Sequence, residues 1–373
     1  MGKKDCQVNH FFTSKEYTSV LQTFEKQSHL TLDTKRILGK GGYSVVYQAK
    51  TKGGNIFAVK MITIPKIKDP SDKKEISKYY AKVNIAKQDC EFSVNLLHKS
   101  IVRSFYSVQV KNDNYAIVMQ KGAGSLNNII THFYKGNNVM PNSLMEKNSI
   151  FNQMGENLTK YFFNQIVSAM IFLKECNCVH FDIKPDNFLL FGNEIKLSDF
   201  GLCYKLNKKE RQFQLRPSGT FSYLPPEFFS KDPKINIEEV EKIDVFGLGC
   251  ILFRMLNYNF VIDKEEGDPA IYSEKDIEKK IMKSIEKNHT SQRSDKVKQF
   301  IDKMLEPDIS KRASMNDVFQ NDWRFEGKNK INFIEKINSE DNKKLLIELQ
   351  KMDYLPKQGF KKRKFTIKVK KGK

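Results

Sequence analysis

Residues 180–201 read HFDIKPDNFLLFGNEIKLSDFG. Asp182, Lys184 and Asn187 fall within one short loop, and a second acid, Asp199, follows about a dozen residues later at the head of an Asp-Phe-Gly. An Asn and an Asp at that spacing supply the oxygen ligands that Mg²⁺ needs when it sits on a nucleoside triphosphate. Asp182 is left free to orient an attacking hydroxyl, so the chemistry on offer is phosphoryl transfer.

With these residues in view, the stretch resembles the catalytic and metal-binding loops of eukaryotic protein kinases. The resemblance runs over residues 30–325 and implies ATP and Mg²⁺ as cofactors and protein substrates as partners. Within it Asp182 orients the substrate hydroxyl and accepts its proton late, and Lys184 neutralises the γ-phosphate. Asn187 and Asp199 hold the metal. Lys184-Pro185, with Thr220 downstream, is similar to the serine/threonine class. The activation segment would run from 199 to 227, with Ser218, Thr220, Ser222 and Tyr223 as candidate phosphosites, unless Thr220 is simply a partner of the catalytic lysine. Glu227 is expected to pair with Arg312, and Asp244 to brace the catalytic loop backbone.

The phosphate-binding end is GKGGYSVV, residues 39–46. Gly39 and Gly41 let the backbone fold over a triphosphate where a β-carbon would intrude, and Lys40, Gly42 and Tyr43 are further candidate nucleotide contacts in the same turn. A lone glycine turn is as often a plain hairpin. Ser44 stands where kinases often carry a third small residue, and Val46 would cap one face of the adenine. FAVK follows at 57–60; in a strand Ala58 and Lys60 point the same way, so Ala58 roofs the base while Lys60 reaches the phosphates. The base would lie near Met119 and Lys121. Kinases pair this lysine with a Glu on the following helix, and two candidates stand here: Asp89 by spacing and Glu91 by chemistry. Glu91 is preferred.

The usual His-Arg-Asp is here His-Phe-Asp. Phe181 replaces the Arg that a phosphorylated activation segment would otherwise neutralise, so control by that contact is not expected. VHFDIKPDNFLL, GTFSYLPPE and DVFGLGCIL are similar to the monopolar-spindle checkpoint kinases, which also lack the Arg. A different class of reading, a pseudokinase scaffold that binds without catalysis, has against it that Lys60, Asp182, Asn187 and Asp199 are all present.

These residues need a frame. TLDTKRIL, YSVVYQAK and NIFAVKMITI are strand-like runs broken by Gly-rich turns, and VRSFYSVQV and NYAIVMQ add two more. A helical stripe runs over 76–97 through Val83, Ala86 and Cys90. From 122 the pattern is helical, with a long apolar helix over 157–176. The fold class expected is α+β, a bilobal protein-kinase fold: a five-stranded β lobe with one main helix (30–121) and a larger, mainly helical lobe (122–325). Residues 1–29 read as an N-terminal extension, helical around Tyr17 to Phe24, residues 135–155 as an inserted surface loop, and 326–373 as a basic tail.

The chain has 373 residues, 39% of them apolar, enough for a substantial core, and a formal charge of +20. Lys outnumbers Arg and is spread along the chain, so the charge reads mainly as compositional bias. The tail is expected to be a solvated end; the alternatives are nuclear import through KKRK (361–364) or binding to nucleic acid or acidic surfaces. The six cysteines show no zinc-type pairing and read as reduced thiols of an intracellular protein, cytoplasmic or nuclear. No run approaches the length of a membrane span, and a monomeric catalytic domain is expected.

Overall fold

The computed structural model describes residues 14–135, 154–207, 209–215, 218–262, 272–289 and 291–325. The β-branched and aromatic runs form β1 (Thr31–Lys40), β2 (Ser44–Lys50), β3 (Ile56–Ile62), β4 (Ser104–Lys111) and β5 (Asn114–Met119), an antiparallel sheet ordered β1-β2-β3-β5-β4. Side chains alternate along β2, β3 and β5, whereas the pairings of β1 and β4 carry register shifts. Ala58, Ile62, Ile117 and Met119 face Val83, Ala86 and Cys90 of α2 (Lys73–Asn95), while Val45, Tyr47, Val59, Met61 and Val118 face the other way. Asp72 caps α2 by accepting from the Lys74 N–H.

The opposite face of the sheet is not left to solvent. Helix α1 (Ser14–Ser28) buries Val20 and Phe24 against it. The Tyr17 and Tyr47 hydroxyls lie 2.6 Å apart, and the Leu32 N–H donates to Glu25 at 2.7 Å. The helical stretch expected around Tyr17 to Phe24 is therefore longer and forms part of the small-lobe core. A sheet covered on both faces explains why β3 and β5 read as almost unbroken apolar runs.

The large lobe is built on α4 (Glu156–Glu175) and α5 (Glu241–Asn257), with α3 (Leu126–Lys135), α6 (Glu274–His289), α7 (Asp295–Leu305) and α8 (Met315–Gln320) around them. Three short strand pairs carry the loops. β6 (Cys178–Val179) pairs with β9 (Tyr204–Lys205), β7 (Phe188–Phe191) with β8 (Glu194–Leu197), and β10 (Gln212–Gln214) with β11 (Lys234–Asn236). Nearly every side chain of α5 is buried. A Cβ at Gly247 would stand 2.8 Å from the Ile183 side chain, so α5 touches the 180–187 loop backbone almost directly. Most of the expected 135–155 insert and the tail from 326 lie outside the described residues.

Candidate active site

A cleft of about 680 Å³ opens between the sheet and the large lobe. Register decides what lines it: Val46 lies opposite Lys60, and Ala58 opposite Met119, across neighbouring strands. Gly39, Lys40, Gly41, Ser44, Val46, Ala58, Lys60, Met119, Lys121, Lys184, Asn187 and Asp199 all line it. Gly42, Tyr43 and Glu91 do not, and Asp182 lines a small neighbouring pocket with Thr220 instead. The turn closes with the Gly41 N–H donating to the Ser44 carbonyl and Thr63 donating to that of Tyr43, and the Tyr43 ring lies under the Lys82 ammonium, 4.4 Å away.

Lys60 reaches two acids. Its Nζ lies 2.6 Å from Asp89 Oδ2 and 2.8 Å from Asp199 Oδ1. The preference for Glu91 is thus corrected: Asp89 is 2% exposed and makes the pair, whereas Glu91 is exposed. Asp89 and Ser93 are one turn apart on the face of α2 that meets β3, and two residues further round the helix points to water. Asp89 does more than pair. Its Oδ1 accepts from Ser93 Oγ at 3.1 Å and from the Phe200 N–H at 3.2 Å, tying α2 to the Asp-Phe-Gly turn.

Asp199 sits at φ +66°, and 45% of its side chain is exposed. Burial of its surroundings would raise its pKa, but the Lys60 ammonium outweighs that and holds the carboxyl at about 2. Burial likewise works against the charge on Lys60, and Asp199 and Asp89 together raise its pKa above the ordinary lysine value.

The 180–187 loop is clamped from behind. The His180 and Phe181 N–H groups donate to the two oxygens of Asp244 at 2.7 and 2.9 Å. Burial raises the Asp244 pKa to about 6, with His180 and the two N–H bonds opposing it. Facing forward, Asp182 receives Lys184 Nζ at 2.6 Å, Thr220 Oγ1 at 2.9 Å and Asn187 Nδ2 at 3.1 Å. Lys184 also donates to Thr220 at 2.7 Å. Gly219 precedes Thr220 at φ +100°, where a Cβ would come within 3.1 Å of the Phe181 carbonyl oxygen. Only glycine lets the activation segment approach the loop that closely.

The donor set fits a nucleotide with a hard cation. Asn187 turns its Nδ2 to Asp182, and Asp199 spends Oδ1 on Lys60, so Asn187 Oδ1 and Asp199 Oδ2 take no part in these contacts. Two oxygens with phosphate oxygens and water suit Mg²⁺. Among the described residues no cluster of three or more His, Cys, Asp or Glu could hold a metal ion alone. Sequence reasoning missed Leu38 and Leu189, which also line the cleft. The signal for Leu189 was present in the alternation of FLLF, since Phe188 and Leu190 on either side are core residues.

The family description of the protein kinase domain matches residues 32–324. The chain belongs to the protein kinase family. It is 30% identical to an Aurora kinase of Encephalitozoon cuniculi over 59% of this chain and 69% of that protein. An Aurora kinase of Schizosaccharomyces pombe is 28% identical over 77% of this chain and 69% of its own length. Serine/threonine-protein kinase ULK3 of Rattus norvegicus is 27% identical over 77% of this chain and 53% of its own.

Two further features of this kinase follow from its activation segment. Phe181 is 8% exposed and stacks on Phe213 at 5.4 Å, in an apolar cluster with Val179, Leu215, Ile235 and Ile243. The segment is thereby anchored by packing where an Arg would seek a phosphate. At its end Glu227 takes a bidentate pair from Arg312 at 2.8 and 2.9 Å, both buried. Of the candidate phosphosites, Ser222 and Tyr223 are buried, the latter accepting from Arg254 at 2.7 Å.

Proposed function

We propose that this kinase transfers the γ-phosphoryl group of Mg-ATP to Ser and Thr hydroxyls of protein substrates, itself among them. The observation that carries the reading is the set of contacts on Asp182. Lys184, Thr220 and Asn187 line the cleft and hold one carboxylate beside it, and the same cleft carries Lys60 between two acids. Bound Mg-ATP would supply the phosphoryl group and the charge that steadies it.

The protein's own part is positioning and electrostatics. Asp182 orients the incoming hydroxyl and takes its proton as the bond to phosphorus forms. Lys184, held between Asp182 and Thr220, faces the transferring group. Lys60, fixed by Asp89 and Asp199, grips the phosphates nearer the base, and Ala58, Val46 and Leu189 make the apolar slot for the ring. Asn187 and Asp199 would hold the metal.

Thr220 supports hydroxyl substrates of the Ser/Thr kind, since its side chain is already spent on the catalytic pair. The curated relatives named as serine/threonine-protein kinases agree with that reading. Within the family, VHFDIKPDNFLL, GTFSYLPPE and the missing Arg support a place near the monopolar-spindle checkpoint kinases. An intracellular setting, cytoplasmic or nuclear, suits the five free thiols among the described residues. The basic tail is assigned no role of its own beyond that of a solvated end.

The test is labelling of generic protein substrates with radiolabelled ATP, wild type against Asp182→Asn, followed by phosphoamino-acid analysis. Incorporation into serine and threonine that collapses in the variant is expected. Equal labelling by both proteins would sink the reading and leave the scaffold alternative.

A further inference from the structure

Behind the catalytic loop lies a second, open cavity of about 460 Å³, which shares no lining residue with the nucleotide cleft. Cys178 lines it. This cysteine lies in β6, where it is paired with Lys205 of β9. Cys203 precedes Lys205 by two positions, so it falls on the same face of the ribbon, diagonal to Cys178. Both thiols are free and buried in the same core cluster, while Val179 and Tyr204 face the other way; the Cys178 sulfur also donates to the Cys176 carbonyl at 3.5 Å. A hydrogen bond from the Cys203 thiol, aided by the Lys205 ammonium and opposed by burial, lowers the pKa of Cys178, while Cys203 is held protonated.

Cys203 also stands at a junction. Its N–H donates to the Phe200 carbonyl at 3.1 Å, and its own carbonyl accepts from Gln88 of α2. Cys178 stands two residues before His180, whose N–H is held by Asp244. One covalent bond between the two sulfurs would therefore join the catalytic loop, the Asp-Phe-Gly turn and α2.

We propose that Cys178 and Cys203 are a reversible redox pair, in which a hydroperoxide entering through this cavity oxidises Cys178 and Cys203 resolves it to a disulfide. The Cys178 thiolate attacks the terminal peroxide oxygen, so an S–O bond forms, the O–O bond breaks and hydroxide leaves from hydrogen peroxide, or the alkoxide from an organic hydroperoxide. Sulfur is oxidised by two electrons and the peroxide is reduced. The Cys203 sulfur then attacks the sulfenic acid; the S–S bond forms, the S–O bond breaks, and the thiol proton leaves with the departing oxygen as water. Cellular dithiols reverse the step by exchange.

The bond pulls on its surroundings. Diagonal neighbours on paired strands stand roughly 7–8 Å apart at Cα, beyond the usual disulfide span of about 4.4–6.8 Å. Closing that gap draws residues 199–203 toward β6 and drags on the Gln88 contact. On the phosphoryl-transfer reading above, which this consequence rests on, the oxidised protein is slow.

The full chain is reduced, desalted and exposed to hydrogen peroxide, its remaining thiols are alkylated, and it is digested without reductant for mass spectrometry. A peptide pair joined through Cys178 and Cys203 is expected, absent from Cys178→Ser. In Cys203→Ala the oxidation should stop at a dimedone-reactive sulfenic acid on Cys178. Phosphoryl transfer should fall about tenfold or more and return with dithiothreitol, since a displacement on the order of 1 Å at a reacting site can cost ~100-fold. Cys178→Ser should keep its rate under peroxide. Folded wild-type protein whose two thiols stay reduced, or one that cross-links through Cys176 instead, overturns the pair. A Cys178–Cys203 bond with no change in rate overturns its coupling to the site. Protein inactive before peroxide counts against the kinase reading alone, because the cross-link is read by mass.

Discussion

Asp89 shows what one methylene decides. With the shorter acid, the 2.6 Å contact to Lys60 leaves α2 no slack, and the same carboxylate also holds the Phe200 N–H. Removing one member of a buried pair costs about 3–5 kcal/mol. Lys60 retains Asp199, so Asp89→Asn should sit near the lower end, about 3 kcal/mol in urea denaturation, with weakened nucleotide binding. Glu91→Gln should stay within about 0.5 kcal/mol of wild type, as a surface change does. Equal losses in the two variants would return the pairing to Glu91. Both acids were visible in the chain. Spacing alone could not choose between them, because the choice depends on how closely α2 approaches β3.

At the scale of elements, α1 is the least legible part of the small lobe. Its apolar residues cover only a turn or two, so the stretch reads as a weak amphipathic helix. The sheet face it covers is what gives it a place. Phe24 is fully buried there, and Phe24→Ala should cost about 3–5 kcal/mol in urea denaturation. A loss below 1 kcal/mol would mean that the helix is a loose attachment. The other element is the activation segment, where Phe181 stacks on Phe213 of the β10–β11 pair. Phosphatase treatment should change the rate by less than about twofold, since packing needs no added charge, whereas Phe181→Arg should bury an unpaired guanidinium and cost several kcal/mol. A strong phosphatase effect would show that packing is not the anchor. Sequence showed that the Arg was missing. It did not show Phe213, thirty-two positions on, lying against the replacement.

Across the whole molecule, Asp244 links the core helix α5 to the catalytic loop, and its titration should be felt in both stability and rate. Folded, it keeps its proton up to about pH 6; unfolded, it loses it near the ordinary 3.8. Between those values the folded state binds more protons, so this group's contribution to stability is full below pH 3.8 and is lost as pH rises through about 6. The rate should move the other way, since the protonated carboxyl gives up one of its two acceptors for the His180 and Phe181 N–H groups. An acid limb of kcat near pH 6 is expected, together with a stability slope between pH 4 and 6 that Asp244→Asn flattens. A variant with an unchanged slope would remove Asp244 as its source. Asp199, held at about 2, adds nothing to that limb: its charge contributes fully above pH 3.8 and fades only as pH falls toward 2.

The order of Lys60, Asp182, Asn187 and Asp199, the glycine turn before them and the alternation of five strands were all determined by the sequence. Each depends on residue type and local period, which short-range sterics and hydrogen bonding set. Tertiary structure decided which acid meets Lys60, that α1 belongs to the sheet, that Phe181 has an aromatic partner, and that two cysteines twenty-five positions apart are buried in one core cluster. Those facts depend on distances between segments far apart in the chain. Such distances follow from how side chains close-pack, to fractions of an ångström, and no local pattern records them.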